Sequence, residues 1–262
     1  MGENIKILFI GDVIGKAGRT AILKLLPEMK KEYFPDLVIA NCENAAGGFG
    51  ATFEALRELE EAGIDFFTSG NHIWDKKDIL KFIGEKKNLL RPANYPDGVP
   101  GAGWKIIETK NGKVGVINLA GRVFMEPLDC PFKKAKEIIP EIKKETNVII
   151  VDFHAEATSE KMALGLYLAG EVSAVIGTHT HVQTSDEKIL NGMTGYITDV
   201  GMAGDVNSVI GMDATIAIER FLFHIPKKFK PAEGKSIEVQ SVFLEISKDG
   251  ACKRIERVNK KI

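Results

Sequence analysis

Five short apolar runs in this chain each end in a side chain able to bind a metal ion. That recurrence constrains the fold more than any other feature. Residues 5–10 stop at Gly11-Asp12, residues 37–40 at Asn41-Cys42-Glu43-Asn44, and residues 65–68 at Ser69-Gly70-Asn71-His72. Residues 148–151 lead into Asp152-Phe153-His154, and residues 172–176 into Gly177-Thr178-His179-Thr180-His181. Short apolar runs bounded by turn residues read as strands buried on both faces. In open α/β sheets, ligands bind beyond the carboxyl ends of the strands. Five strands therefore aim carboxylate, amide and imidazole groups at one rim. Four of the chain's five histidines fall in this set.

Helical patterns fill the gaps. One follows Gly11, Gly15 and Gly18 and runs to about Glu32, with Pro27 as a kink point and Pro35 beyond its end. Others cover residues 52–62, stopped by Gly63, then 76–83, 132–144, 159–168 and 213–223. Runs at 104–109 and 114–118 flank Asn111-Gly112, a strong hairpin signal. A short strand is expected at 196–198, and a closing hairpin at 237–246 and 252–258 around Asp249-Gly250. The β-α-β order implies parallel strands and the hairpins antiparallel ones, so the sheets should be mixed. No linker or repeat divides the chain, and one α/β domain over residues 1–262 is expected.

Composition narrows the partners. Thirty-five Lys plus Arg face 36 Asp plus Glu, which gives no electrostatic footprint for bulk nucleic-acid binding. Cys42, Cys130 and Cys252 form no C-x-x-C pair, so a disulfide framework and a thiolate zinc site are both disfavoured. No run has the length of a signal h-region or a membrane span. A soluble cytoplasmic protein is the expectation. The loop Gly11-Asp12-Val13-Ile14-Gly15-Lys16 is not a P-loop: its spacing differs, and Ala17 stands where Ser or Thr should hold Mg²⁺.

Each polar residue alone has a plainer role. Asp12 could cap a helix, Asn44 and Asn71 could sit in turns, and His154 could be a satisfied core histidine. Together they need several coincidences. His179 and His181, two apart on an extended segment, share one face. The donor set is oxygen and nitrogen without thiolate, which suits Mn, Fe or Zn. It exceeds what one tetrahedral ion needs, and two ions ~3.5–4 Å apart are the usual machinery for displacement at phosphorus.

These residues resemble the calcineurin-like metallophosphoesterases. Gly70-Asn71-His72 is similar to that superfamily's GNH motif, and Gly177-Thr178-His179-Thr180-His181 to its GHxH motif. Two positions depart from the general pattern. Asp12 is followed by Val13-Ile14 rather than completing Asp-x-His, and Asn41-Cys42-Glu43-Asn44 stands where Gly-Asp-x-x-Asp is usual. Both departures fit the YmdB-like family of 2′,3′-cyclic-nucleotide 2′-phosphodiesterases. The stretches IGDVIGKAGR, ENAAGGFG, TSGNHIWDK, LLRPANYP, DFHAEATSEK, GTHTHVQT and ITDVGM resemble that family along nearly the whole chain.

The resemblance implies a four-layer α/β/β/α sandwich with two mixed β-sheets. It implies two transition-metal ions, Fe or Mn before Zn. Asp12, Glu43, Asn44 and His181 would hold the first, and Glu43, Asn71, His154 and His179 the second. A hydroxide held between the ions would attack a cyclic nucleotide, with His72 as proton donor, giving a 3′-nucleotide. An oligomer is expected on the same ground, and neither a stable nucleic-acid complex nor a membrane is.

Two other readings stay open: a regulatory metal- or nucleotide-binding protein with incidental turnover, and an RNA-end phosphoesterase. The first has no need of a proton donor, and the near-neutral charge weighs against the second. Asp152 and Asp199 could orient ligand histidines or be solvated loop carboxylates. Arg91 and Arg122 could contact phosphate, though surface pairing is the simpler role. Cys42 reads as a small buried thiol, His224 as packing, and the basic C-terminal stretch as a solvated edge.

Overall fold

Side-chain alternation along the first strand decides the layering. In β1 (Ile5–Val13), Ile5, Ile7 and Phe9 face one way and Leu8 and Ile10 the other, and both sets are buried. A strand buried on both faces needs a layer on each side. The computed structural model describes residues 4–234 and 236–262.

Ile7 and Phe9 meet Ile39 of β2 (Leu37–Asn41), Val116 of β5 (Gly112–Ala120), Ile150 of β6 (Ile149–His154) and Ile176 of β7 (Ala174–Thr178). This is the core between two sheets. Leu8 and Ile10 pack outward on Ile22 and Leu26 of α1 (Gly15–Tyr33) and share their cluster with Leu56 of α2 (Phe53–Glu61). On the far side, Ile117 and Val151 join Ile139 of α3 (Pro131–Lys143) and Leu164 of α4 (Thr158–Tyr167). The order helix, sheet, sheet, helix is the four-layer arrangement expected.

The remaining strands are β3 (Phe66–Thr68), β4 (Trp104–Thr109), β8 (Lys188–Leu190), β9 (Thr194–Ile197), β10 (Met202–Asp205), β11 (Ile237–Ile246) and β12 (Cys252–Lys261), and the last helix is α5 (Ala214–Phe223). One sheet runs β12-β11-β10-β1-β2-β3 and the other β4-β5-β6-β7-β9-β8. Both are mixed. β1–β2–β3 and β5–β6–β7–β9 are parallel, while the hairpins β4–β5 and β11–β12 are antiparallel, as their turns predict.

Three details differ from the sequence expectation. First, β1 does not stop at Gly11-Asp12. It pairs with β11 over residues 5–10, then with β10 at Asp12 and Val13, and its register against β2 shifts between Ile10 and Asp12. Gly11 permits the shift, because a Cβ there would lie 2.0 Å from the Gly201 carbonyl oxygen. Second, the helix expected at 76–83 is two 3₁₀ turns, Asn71–Trp74 and Lys77–Lys81. The amides of Asp75, Ile79 and Phe82 bond carbonyls three residues back, and the segment is too short to sustain an α-helix. Third, β8 and β10 carry no apolar run: one is mostly exposed, and the other reads Met-Ala-Gly-Asp. Helix α1 continues through Pro27 and ends at Phe34, in the left-handed conformation. No helix among the described residues is long and apolar enough to cross a membrane.

Candidate metal centre and catalytic cleft

The polar residues at or just beyond the carboxyl ends of β1, β2, β3, β6 and β7 converge on one rim. The first sheet supplies Asp12, Glu43, Asn44 and Asn71, all oxygen-bearing, while the second supplies His154, His179 and His181. Two overlapping triads form: Asp12, Glu43 and His181, and Glu43, His154 and His179, each with potential ligand atoms within 4.8 Å of one another. Glu43 belongs to both. The Asn44 carboxamide nitrogen lies 3.0 Å from Glu43 Oε1 and 3.2 Å from His181 Nε2, placing Asn44 with the first triad. Asn71 Oδ1 lies 3.1 Å from His154 Nε2, placing Asn71 with the second.

The cluster fits metal ions on its own geometry. Asp12, Glu43 and His154 are fully buried, and Asn44 and His181 nearly so. Among the described residues, Asp12 Oδ1 is buried without a hydrogen-bond partner. His181 Nε2 at 3.6 Å and His154 Nδ1 at 4.0 Å face this oxygen from beyond hydrogen-bonding distance, so it keeps a lone pair free for a cation. Gly70 clears the space: a Cβ there would lie 2.2 Å from His154 Cδ2 and 2.4 Å from Glu43 Oε2.

Hydrogen bonds set the ring orientations. His181 Nδ1 donates to the Ile210 carbonyl at 2.9 Å, leaving Nε2 toward Asp12. Ile210 holds a left-handed φ of 48°, an unusual strain for a β-branched residue. His154 Nδ1 is 2.9 Å from Thr178 Oγ1, whose hydroxyl donates to Asp152 at 2.7 Å. His179 sets Nδ1 2.9 Å from His154 Nε2 and turns Nε2 to Glu156 at 3.1 Å. Outer partners of this kind fix the tautomer that a metal-binding imidazole presents.

Burial works against every charge in the cluster, and at Asp12, Glu43, His154 and His181 neighbours of opposite sign overcome it. His181 and His154 hold Asp12 well below the usual carboxylate range, and His154 lowers Glu43. Against the same burial, Glu43 raises His154, and Asp12 raises His181 to about 9. His179 is pushed down to about 3, by burial and then by the charge on His154. Burial raises Asp152 to about 7. Without ions, the charged forms of Asp12, Glu43, His154 and His181 thus favour one another, and a protonated ring must lose a proton before it can ligate a metal.

His72 stands at the cluster's edge. Its amide donates to Glu43 Oε2 at 2.9 Å, and its Nδ1 lies 2.9 Å from Asp75 Oδ2. The Phe49 ring meets it edge-on at 5.1 Å. A cleft of about 300 Å³ is lined by His72, Glu156, His179 and His181 together with an apolar set, Phe49, Ile210, Met212, Phe221 and Phe229, of which Phe49 touches His72 and Ile210 touches His181.

Asp152 and Asp199 are both fully buried, so neither is a solvated loop carboxylate. Asp152 acts through Thr178. Asp199 accepts the backbone amides of Thr180 and Gly201 and pairs with buried Lys161 Nζ at 2.6 Å, fixing the loop between the two histidines. Arg91 donates to the carbonyls of Pro92 and Val99, and neither it nor Arg122 lines the cleft. Glu156, Lys161 and Thr178 escape the sequence reading. All three lie in stretches quoted there, but none is given a role.

A family model described as YmdB-like protein matches residues 8–258. The chain belongs to the YmdB-like family. Among YmdB-like relatives, a 2′,3′-cyclic-nucleotide 2′-phosphodiesterase of Bacillus subtilis strain 168 is 51% identical over 232 residues, 88% of each chain. The crystal structure of a hypothetical protein from Thermus thermophilus matches with a TM-score of 0.92 at 40% identity, covering 98% of this chain and 99% of that one. That of a novel phosphatase from Mycoplasma pneumoniae gives 0.94 at 36%, covering 100% and 95%. Each match takes in the whole or nearly the whole length of both proteins. The YmdB-like assignment therefore covers the sandwich and its rim together.

Proposed function

We propose that this protein is a dimetal phosphodiesterase that opens 2′,3′-cyclic nucleotides to 3′-nucleotides. The observation that carries the reading is the pair of buried triads sharing Glu43. The name of the Bacillus relative supports the choice of substrate. Asp12, Glu43, Asn44 and His181 would hold one ion, and Glu43, Asn71, His154 and His179 the other. The mixed oxygen and nitrogen donors suit Mn or Fe, with Zn compatible. When bound, the pair supplies Lewis acidity and a potent nucleophile at neutral pH.

The chain's own residues do the rest. With Nδ1 turned to Asp75, His72 is left with Nε2 to carry a proton to the departing ribose 2′-oxygen. The phosphate then stays on the 3′-oxygen. A positioned general acid contributes ~10²–10⁴-fold. Thr178, Glu156 and the Ile210 carbonyl hold the three second-sheet imidazoles in the tautomers that present the required nitrogens. The substrate is a small molecule rather than a long RNA, since no Lys or Arg among the described residues lines the cleft. Three free cysteines suit a reducing compartment, and the cytoplasm is the proposed location.

The test is hydrolysis of 2′,3′-cyclic AMP against 3′,5′-cyclic AMP by Mn²⁺-loaded protein, with products identified. Selective formation of 3′-AMP from the 2′,3′ isomer is expected. Formation of 2′-AMP, or no turnover with metal bound, overturns the proposal.

A further inference from the structure

We infer that the apolar wall of the cleft, formed by Phe49, Ile210, Met212, Phe221 and Phe229, holds the substrate's nucleobase by stacking and burial, without reading the base edge. The inference rests on the cyclic-nucleotide reading of the same site and names what that reading leaves open, the basis of base selection.

The two sides of the cleft are chemically unlike. Its polar lining groups, Glu43, Asn44, His72, Glu156, His179 and His181, belong to the metal-facing cluster or flank it. Among the described residues the only other polar lining residue is Thr180, between the two histidines. The opposite wall offers ring faces and aliphatic carbons. Distinguishing bases requires donors and acceptors placed at their edges, and the side chains of the apolar set supply none. Among the described lining side chains such groups all belong to the metal-facing set or to Thr180 within it, where the phosphate must lie. What remains for the base is π-surface, which every base can use.

The wall is also built to stay apolar and open. Phe221 is 75% exposed at the end of α5, although that helix has a buried contact at Ala217, one turn earlier. Helix α5 is fixed at its start, where Asp213 accepts the Ile216 amide at 2.9 Å and donates its own to Lys230 at 2.8 Å. Arg220 places its guanidinium 4.1 Å from the Phe229 ring centre and is not among the residues lining the cleft, so it braces that ring from outside. Ile210 ties wall to centre, since its carbonyl accepts the His181 proton while its side chain lines the cleft.

The test compares three substrates on Mn²⁺-loaded protein: 2′,3′-cyclic AMP, 2′,3′-cyclic UMP, and methyl riboside 2′,3′-cyclic phosphate, which has no base. The two nucleotides should agree in kcat/KM within about tenfold, and the base-free compound should fall below both by about 5- to 150-fold, the range of one lost stacking contact. Phe221→Ala should raise KM for the nucleotides at least fivefold more than for the base-free compound, and Phe221→Trp should restore it. Equal losses on all three substrates, or a preference above about 100-fold for one base, overturn the inference. Equal hydrolysis of all three by the unaltered protein overturns it alone, whereas hydrolysis of none overturns the phosphodiesterase reading beneath it.

Discussion

The two walls of the cleft are made by opposite means. The metal-facing wall stands on strand ends from both sheets, and nearly every polar atom in it has a partner bound to a further partner. Phe49 apart, the apolar wall hangs on the segment from Val206 to Lys230, where Phe221, Leu222 and Phe223 face solvent. Chemistry that needs atoms held to a few tenths of an ångström has been placed where the fold is least able to move. Contact that needs only area has been placed at its margin. Disturbing the first wall should therefore cost metal, rate and stability together, while disturbing the second should cost affinity alone.

The sharpest way to break that contrast is Glu43→Ala, which removes the residue common to both triads. Metal content by mass spectrometry should fall, and activity should drop by ~10³-fold or more. Full metal occupancy in this variant would sink the ligand assignment. His72→Ala separates rate from metal within the same wall: it should retain both ions and lose about 10²–10⁴-fold in kcat. Lys161→Met tests the support. It strands the buried Asp199 carboxylate and should lower unfolding free energy in urea by about 3–5 kcal/mol. A loss under about 1 kcal/mol would show that the pair is not needed to hold the loop.

A fourth prediction concerns protons. His181, raised to about 9, is an imidazolium in the ion-free protein at neutral pH. Ligation must expel that proton, so Mn²⁺ affinity by calorimetry should strengthen with pH by up to about tenfold per unit until about 9. Affinity flat between pH 6.5 and 8.5 would contradict this. The smallest effect belongs to the other wall. Phe221→Ala should change unfolding free energy by no more than about 0.5 kcal/mol, because that ring is already in water.

The same contrast explains what could be read from residues alone. Strands β1, β2, β6 and β7 announce themselves because burial on both faces forces continuous apolar runs. The polar residues that end them stand out for the same reason. Strand β10 is silent, since Met202–Asp205 has no such run and is made a strand by β1 and β11 on either side. The turn at Asn71–Trp74 is silent too: Ile73, Ile79 and Ile83 are buried, but nothing in that spacing separates an α-helix from 3₁₀ turns. Lys161 is hidden among polar neighbours in α4, because a buried lysine is recognisable only once its partner is known. Sequence shows which side chains can ligate, but not which backbone carbonyl or hydroxyl aims them.

Oxygen donors come from one sheet and nitrogen donors from the other, and neither sheet alone can complete a coordination shell. Ions seated there would act as rivets through the middle of a laminate. Pulling the layers apart would first have to release them, so their binding energy would add to the cohesion of the layers and grow with the logarithm of free metal. On the proposed reading the centre would fasten the sheets as well as serve turnover, and a chelator should peel the sandwich as well as silence it.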